Sequence, residues 1–340
     1  MSTEAVLRDI EAQPAALRET LDHLNGAGGP ALDAAAGRLA AARRVVVTGM
    51  GASFNAAIPL AYHLARSGRA VSLVEAGELA NSQIETCRNA LVVLASRSGE
   101  SVEIVKLLDL LPKMGATSIG VTNVASSPLA LRSDVPVLIG SPNDFMIALQ
   151  TYLATVTTLL FMAARAGIAD VGEGAFPSVA EALRETVARS RPIFDGASDD
   201  PPRRAFYLLG RDCGYASALE GQLLFHEISR FPAVAMTGHA FRHGPFEVVD
   251  EQFQAYVFCP DDAHAELNRS LARDIRMAGG RGRLVGPGAD GPLRTARCAP
   301  ALQPLLDIVP VQFAALRLAK DRGISAGDFR FTGLVTRRED

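Results

Sequence analysis

Several features that mark whole classes of protein are missing from this sequence. There is no tryptophan, and the four cysteines, scattered through 340 residues, form no CxxC pair. Isolated cysteines of this kind are typical of reduced thiols. We therefore expect no disulfide framework and a cytoplasmic location.

Basic blocks and long apolar runs are also missing. The formal net charge is −3, and no helix-turn-helix or aromatic RNA-reading motif is seen. No uninterrupted apolar run reaches membrane-spanning length. Residues 1–22 are acidic and amphipathic, which does not fit a signal peptide. We therefore expect neither a nucleic-acid partner nor a membrane partner.

The most informative stretch is 95–101, Ala-Ser-Arg-Ser-Gly-Glu-Ser. It follows an apolar run at 91–94 and precedes a segment with helical spacing at 102–108. This order predicts a strand, then a turn at 95–101, then a helix. Three hydroxyls and several backbone N–H groups at a helix N-terminus would form an anion site. The alternative is a simple serine N-cap with a glutamate in the first turn.

Apolar runs without alternation, separated by helical segments, predict parallel sheets covered on both faces. A strand and glycine turn at 45–53 recur at 205–217, an offset of about 160 residues that indicates a duplicated domain. The fold class is therefore α/β, with two tandem domains that each hold a flavodoxin-like five-stranded parallel sheet with helices on both faces. Pro14 predicts two short helices within 5–24, and a long, apolar helix at 145–166 is expected to be buried.

The predicted organisation runs from N-terminal helices to a C-terminal tail. Its segments are the helices at 1–32, a first domain at 33–167, a linker helix at 168–200, a second domain at 201–325 and a tail at 326–340. Ligands of open parallel sheets bind at the carboxyl ends of the strands, where 48–53 and 95–101 both fall.

Gly49 and Gly51 begin a dinucleotide-binding pattern, but Phe54 stands where the third glycine belongs. The alternative to an NAD site is that Ser53 faces the same ligand as the serines of 95–101. Glu220 and Glu227 lie seven residues apart, hence on one helix face, among apolar neighbours. They are either groups with a raised pKa that move a proton or structural carboxylates.

His239 and His243 have the i, i+4 spacing of zinc ligands on a helix. Gly244 and Pro245 break the helix at that point, which favours acid–base chemistry on a ligand hydroxyl. An exposed loop histidine is the remaining alternative.

In this order the motifs resemble those of the sugar isomerase (SIS) domain family, most of all the isomerase half of glucosamine-6-phosphate synthase. The residues that carry the resemblance are 48–53, 96–101, 218–221 with 226–229, and 243–245. The glutaminase domain is missing, so glutamine-driven synthesis is not expected. The resemblance implies two tandem SIS domains, a sugar phosphate as ligand, and neither metal nor other cofactor.

The resemblance also implies a role for each matching residue. Glu227 matches the base that moves a proton between C1 and C2, and His243 matches the residue that opens the sugar ring. In the family this histidine comes from the neighbouring subunit, which implies a homodimer with shared sites. The residues expected to bind the phosphate and sugar are Gly51, Ala52, Ser53, Ser96, Arg97, Ser98, Gly99, Ser101 and Glu220.

Four departures from the family pattern qualify these roles. Arg97 replaces a usual glutamine, and Leu224 and Gln150 stand where the family has lysines. The tail at 331–336 also lacks the family's lysine. We therefore expect aldose–ketose isomerisation or deamination of a hexose or aminosugar phosphate. The alternatives are a sugar-phosphate sensor that does not turn its ligand over, and an NAD enzyme.

Overall fold

The computed structural model describes residues 2–196 and 206–331. Its strands are β1 (Arg44–Gly49), β2 (Ala70–Leu73), β3 (Leu91–Ala95), β4 (Thr117–Thr122), β5 (Val135–Leu138), β6 (Phe206–Gly210), β7 (Ala233–Thr237), β8 (Gln254–Phe258) and β9 (Arg281–Val285). Its α-helices are α1 (Ser2–Asn25), α2 (Gly29–Ala41), α3 (Gly51–Arg66), α4 (Ala76–Asn81), α5 (Val102–Leu110), α6 (Pro128–Arg132), α7 (Gln150–Arg165), α8 (Phe176–Ser190), α9 (Pro192–Asp195), α10 (Gly214–Ser229), α11 (Gly238–Arg242), α12 (Ala265–Met277), α13 (Pro304–Asp307) and α14 (Val309–Asp321). Most of the predicted tail, and the predicted boundary between the linker helix and the second domain at residues 200–201, lie outside the described residues.

The chain divides into two compact units, which we name by their sheets. The five-stranded unit consists of Ala15–Asp144, Ala148–Pro177 and Phe329–Asp340. The four-stranded unit consists of Met1–Pro14, Phe145–Ile147 and Ser178–Asp328. The segments predicted from the sequence were contiguous, whereas these units interleave along the chain.

The five-stranded unit has the predicted parallel sheet, with strand order β2-β1-β3-β4-β5. On one face Val46 and Val92 join a buried cluster with Ile104 and Leu107 of α5. Val45, which alternates with Val46 and points to the other face, is also 0% exposed. Both faces are therefore covered, as the unbroken apolar runs predicted.

The four-stranded unit differs from the prediction of five strands in each domain. Within the described residues its sheet has four parallel strands in the order β7-β6-β8-β9. The place of a fifth strand next to β9 is taken by an isolated parallel bridge between Gly286 and Arg294. The segment around Arg294 contains two prolines and a glycine in residues 291–300, which is unfavourable for a longer ladder.

Helix α1 corrects the prediction of two short helices, because it continues through Pro14. Proline cannot donate the backbone hydrogen bond that the carbonyl of Ile10 would otherwise accept. The side-chain Nε2 of Gln13 donates to that carbonyl instead, at 2.8 Å. Gln13 also exchanges two hydrogen bonds with Gln312, at 2.8 and 2.9 Å, and both side chains are fully buried.

Helix α7 begins at Gln150, five residues after the predicted start. The carboxylate of Asp144 accepts hydrogen bonds from the backbone N–H groups of Gln150 (2.7 Å) and Thr151 (3.1 Å), which fixes the first turn. The prediction that this helix is buried almost all round is confirmed, since every residue from Gln150 to Ala163 is buried. A second apolar stretch, Pro300–Asp321, is long and apolar enough to cross a membrane, but 89% of its 18-residue apolar window is buried inside the protein.

Asp307 is a buried carboxyl group at the end of α13. Its Oδ1 accepts hydrogen bonds from Thr295 Oγ1 and Gln303 Nε2, both at 2.8 Å. Burial raises the pKa of Asp307 to about 7, and the negative charges of Asp261 and Asp262 add to the rise. The folded protein therefore binds a proton here that an unfolded chain releases near pH 3.8.

Asp307 is expected to make the stability of the protein depend on pH. Because its folded pKa is raised, its favourable contribution is complete below about pH 4 and is lost as the pH rises to about 7. Over that window the free energy of unfolding should fall by about 1.4 kcal/mol per pH unit on account of this group. Urea unfolding at several pH values measures the slope.

The comparison is between Asp307→Asn and a control, Asp290→Asn, at an exposed position. In Asp307→Asn the amide oxygen of the new side chain can still accept the two hydrogen bonds, but the group does not titrate. We expect a shallower slope for Asp307→Asn and the wild-type slope for the control. Equal slopes in all three proteins would show that Asp307 does not titrate in this window.

Candidate functional site

The carboxyl edge of the five-stranded sheet brings the predicted loops together. The chain leaves β1 towards β2 on one side, and β3 lies on the other side of β1. Gly49 and Ala95, the last residues of β1 and β3, are in register. The segments that follow these strands therefore start side by side, at the strand-order reversal where open sheets bind their ligands.

The loop at 96–101 is a closed turn held by its own hydroxyls. Ser96 Oγ accepts a hydrogen bond from the N–H of Gly99 (3.1 Å), and Ser98 Oγ accepts one from the N–H of Glu100 (3.3 Å). Gly99 has φ +65° and its carbonyl accepts the N–H of Leu129. A side chain at this position would be strained by the backbone conformation and would meet Ser127.

Ser101 precedes α5, but its hydroxyl makes no capping hydrogen bond. Ser101 therefore occupies the N-cap position, as the alternative interpretation predicts, but its hydroxyl does not cap the helix. Helix α5 begins without a side-chain acceptor on its first N–H groups, and a glutamate, Glu103, lies in its first turn. Such a helix start favours a negatively charged ligand, because its N–H groups and its dipole point towards the loop.

Ser53 belongs to the first turn of α3 and lies against the same loop. Gly51 opens this helix with φ +50°, a backbone conformation that glycine adopts readily. The Oγ of Ser53 accepts a long hydrogen bond from the N–H of Arg97, at 3.4 Å. Ala52, Ser53 and Arg97 line a small cavity together with Ala148, Thr151, Tyr152 and Thr155.

The backbone of Arg97 is fixed from β4. Its carbonyl accepts hydrogen bonds from the N–H of Asn123 and from Thr122 Oγ1, both at 3.0 Å. The side chain of Arg97 is half-buried. Arg97 and Ser53 line the same small cavity, so a cationic residue stands at the position where the resemblance implies a neutral amide.

Glu220 and Glu227 lie on α10 of the four-stranded unit. Glu220 is 1% exposed, whereas Glu227 is partly exposed. Leu224 and Ile228, on the same helix, are fully buried. The two glutamates therefore have different surroundings, and Glu227 is the one that solvent or a ligand can reach.

His243 follows α11, which ends at Arg242. Its N–H donates to the carbonyl of Ala240 (3.0 Å), and Gly244 continues the turn with φ +117°. His239 and His243 thus do not share an uninterrupted helix. The break expected from Gly244 and Pro245 is present, so the i, i+4 spacing does not give the geometry of a helical zinc site. Both imidazoles are exposed.

One group of residues in the four-stranded unit was not singled out from the sequence. Asp212 follows β6, Asp262 follows β8, and His264 lies two residues further on. Their ligand-type atoms all lie within 4.8 Å of one another. The sequence did contain one indication of this group. The segment 259–262, which includes Asp262, follows β8 as the serine loop, residues 96–101, follows β3.

The comparisons with known proteins agree with the predicted family. The family description "SIS domain" matches residues 38–165. The glutamine–fructose-6-phosphate aminotransferase of Aeropyrum pernix is 30% identical over 285 residues, which are 80% of this chain and 46% of that protein. The chain spans about half the length of the curated relatives it matches.

Two solved structures have the same fold. Glucosamine-6-phosphate deaminase of Thermotoga maritima matches with a TM-score of 0.81 and 22% identity, over 97% of this chain and 99% of that chain. Tagatose-6-phosphate ketose/aldose isomerase of Escherichia coli matches with a TM-score of 0.81 and 19% identity, over 98% of this chain and 95% of that chain. Residues 38–165 of this chain therefore match the SIS domain. Over nearly its whole length the chain has the fold of these two structures.

Proposed function

We propose that this protein binds a hexose or aminohexose 6-phosphate and moves a proton between C1 and C2 of the sugar. The outcome is aldose–ketose isomerisation or, for an aminosugar, deamination. The observation that carries the proposal is the meeting of Ser53 with the loop at 96–101, at the strand-order reversal. A deaminase and a ketose/aldose isomerase of sugar phosphates share this fold, which supports both reactions.

In this proposal the phosphate is held by the serine loop. Its oxygens accept hydrogen bonds from the hydroxyls of Ser53, Ser98 and Ser101 and from the first N–H groups of α5. The cation of Arg97 adds attraction for the phosphate charge. Ser96 acts from within, because its hydroxyl holds the N–H of Gly99 and keeps the turn closed.

The chemical step is assigned to two residues of the four-stranded unit. His243 moves a proton between the ring oxygen and the anomeric hydroxyl, which opens the sugar. Glu227 takes the proton from C2 and returns it to C1, and the C2 hydroxyl or amine gives its proton to the C1 oxygen. The intermediate is an enediol for a sugar or an enolamine for an aminosugar. In deamination, water then replaces the amine and ammonia leaves.

Lysine has no part in this mechanism. The sequence holds three lysines, Lys106, Lys113 and Lys320. Lys106 hydrogen-bonds Asn81, and Lys320 lies over the ring of Phe194 at 4.8 Å. An imine between the sugar carbonyl and a lysine is therefore not included in the proposed reaction.

A second candidate function is a sugar-phosphate sensor that binds without turnover. It is favoured by the residues at the two positions where the family has lysines within the described chain. Leu224 is fully buried and apolar, and Gln150 is 5% exposed. Exchange of the C2 proton with solvent separates an enzyme from a sensor, because only an enzyme labels the sugar.

The serine loop is expected to recognise the phosphate group of the ligand. Replacing a hydroxyl that bonds a charged group removes about 1.5–3 kcal/mol, so Ser98→Ala and Ser101→Ala should each raise Kd about 10- to 100-fold. Calorimetry with fructose, glucose and glucosamine 6-phosphates measures this. Ser82→Ala, an exposed serine of the same unit, is the control. Equal affinity for the unphosphorylated sugars would contradict phosphate recognition.

Removing the carboxylate of Glu227 is expected to slow proton transfer. A positioned general base contributes about 10²–10⁴-fold, so Glu227→Gln should lose that much of the C2 exchange rate while it still binds the sugar phosphate. Proton NMR in D₂O follows the exchange. Glu251→Gln, at an exposed position, should exchange at the wild-type rate. Full exchange by Glu227→Gln would show that another group is the base.

The proposal that a homodimer shares its sites between subunits can be tested with mixed dimers. One protomer would carry Ser98→Ala with Ser101→Ala, and the other His243→Ala. If His243 acts in the partner's site, a purified mixed dimer keeps one intact site and about half of the wild-type activity, by the symmetry of a two-fold dimer. If each chain uses its own histidine, both sites are defective and activity stays low. Differently tagged, co-expressed chains provide the mixed dimer.

A further inference from the structure

The four-stranded sheet has the same strand-order reversal as the five-stranded sheet. Its chain goes from β6 to β7 on one side, and β8 lies on the other side of β6. Leu209 of β6 and Val257 of β8 are in register, so the segments after these strands start at neighbouring positions. In an open parallel sheet this is the place where a ligand binds.

The residues at this second reversal have the opposite chemistry from the serine loop. Asp212 comes two residues after the end of β6, and Asp262 comes four residues after the end of β8. Together with His264 they bring two carboxylates and an imidazole to one point. Such oxygen and nitrogen donors bind divalent transition-metal ions rather than phosphate.

The distances fit a shared ion. His264 Nδ1 and Asp262 Oδ2 are 3.7 Å apart. Two ligands that each lie about 2.0–2.2 Å from zinc are separated by no more than about 4.4 Å, so both atoms can bind one ion. A ligand-type oxygen of Asp212 lies within 4.8 Å of both, which places a third donor at the same point.

Among the side chains of this group, His264 has a ring nitrogen that no hydrogen bond occupies in the described part of the chain. The imidazole of His264 is 36% exposed as a whole, but its Nδ1 atom is covered by protein and has no hydrogen-bond partner among the described residues. A buried nitrogen of this kind needs a proton acceptor, a water molecule or a metal ion. The carboxylate oxygens of Asp262 lie beside it, too far away for a hydrogen bond.

Neighbouring arginines do not neutralise Asp262. Arg297 pairs with Asp261 at 2.7 Å, and Arg269 pairs with Glu266 at 3.4 Å. In the described part of the chain Asp262 has His264 as its ion-pair partner and no lysine or arginine. Its side chain is 16% exposed, so its charge is only partly screened by water.

We propose that Asp212, Asp262 and His264 form a site for one divalent transition-metal ion, such as Zn²⁺ or Mn²⁺. Three protein ligands leave coordination positions for water or for an oxygen of a bound molecule. The four-stranded unit then has a cation site at its strand-order reversal, where the five-stranded unit has the proposed phosphate-binding loop. Since metal binding is measured without sugar, its outcome is independent of the proposed enzymatic function.

The test is titration of the full chain, freed of metal by chelation and dialysis, with Zn²⁺ and Mn²⁺ in separate calorimetric experiments. We expect one ion per chain and at least tenfold weaker binding by Asp212→Asn and by Asp262→Asn. The asparagine of Asp262→Asn retains an oxygen that can accept the N–H of His264 (2.8 Å in the wild type), so the turn should persist; circular dichroism checks the fold. The EPR signal of bound Mn²⁺ gives a second measure of occupancy.

Two controls locate the ion. Asp261→Asn changes the neighbouring carboxylate, which is paired with Arg297, and should bind as the wild type does. His239→Asn removes an exposed imidazole outside the group and should also bind normally. The proposal is overturned if the wild type binds no ion, if Asp261→Asn weakens binding as much as Asp262→Asn, or if His239→Asn abolishes it.

Discussion

The strand order of the two sheets is the constraint on which both candidate sites depend. Crossovers between parallel strands are right-handed, so a chain that begins inside a sheet must build outwards first on one side and then on the other. Here β1 and β6 are those inner strands. The loops after each inner strand and its later neighbour diverge, and polar side chains collect in the space between them. The fold supplies two such places, and the residues in the loops decide what each can bind.

Much of the five-stranded unit could be predicted from the sequence, because buried parallel strands appear as unbroken apolar runs. The burial of α7 followed from the same reasoning. The helix boundaries that were predicted wrongly depend on hydrogen bonds between single side chains and the backbone. Gln13 compensates for Pro14, and Asp144 sets the start of α7. Neither effect is visible in hydrophobic periodicity.

The candidate site was predictable where it is continuous in sequence and less so elsewhere. The hydroxyls at 96–101 stand together in the chain, but their hydrogen bonds with the N–H groups of the turn depend on its φ angles. Asp212 and Asp262 are fifty residues apart, and the register of β6 with β8 brings them together. Register depends on side-chain packing between strands, which spacing along the chain does not report.

Helix α1 also has a consequence for how the chain folds during synthesis. Its first residues belong to the four-stranded unit, and Gln13 is buried against Gln312, which lies 299 residues further along the chain. At about 5–20 residues per second, the ribosome needs roughly 15–60 s to make that partner. Until then the face of this amphipathic helix that is buried in the finished protein, including the amide of Gln13, is exposed to the cell. The four-stranded unit therefore closes late, and chaperones have the most time to act on the N-terminal segment.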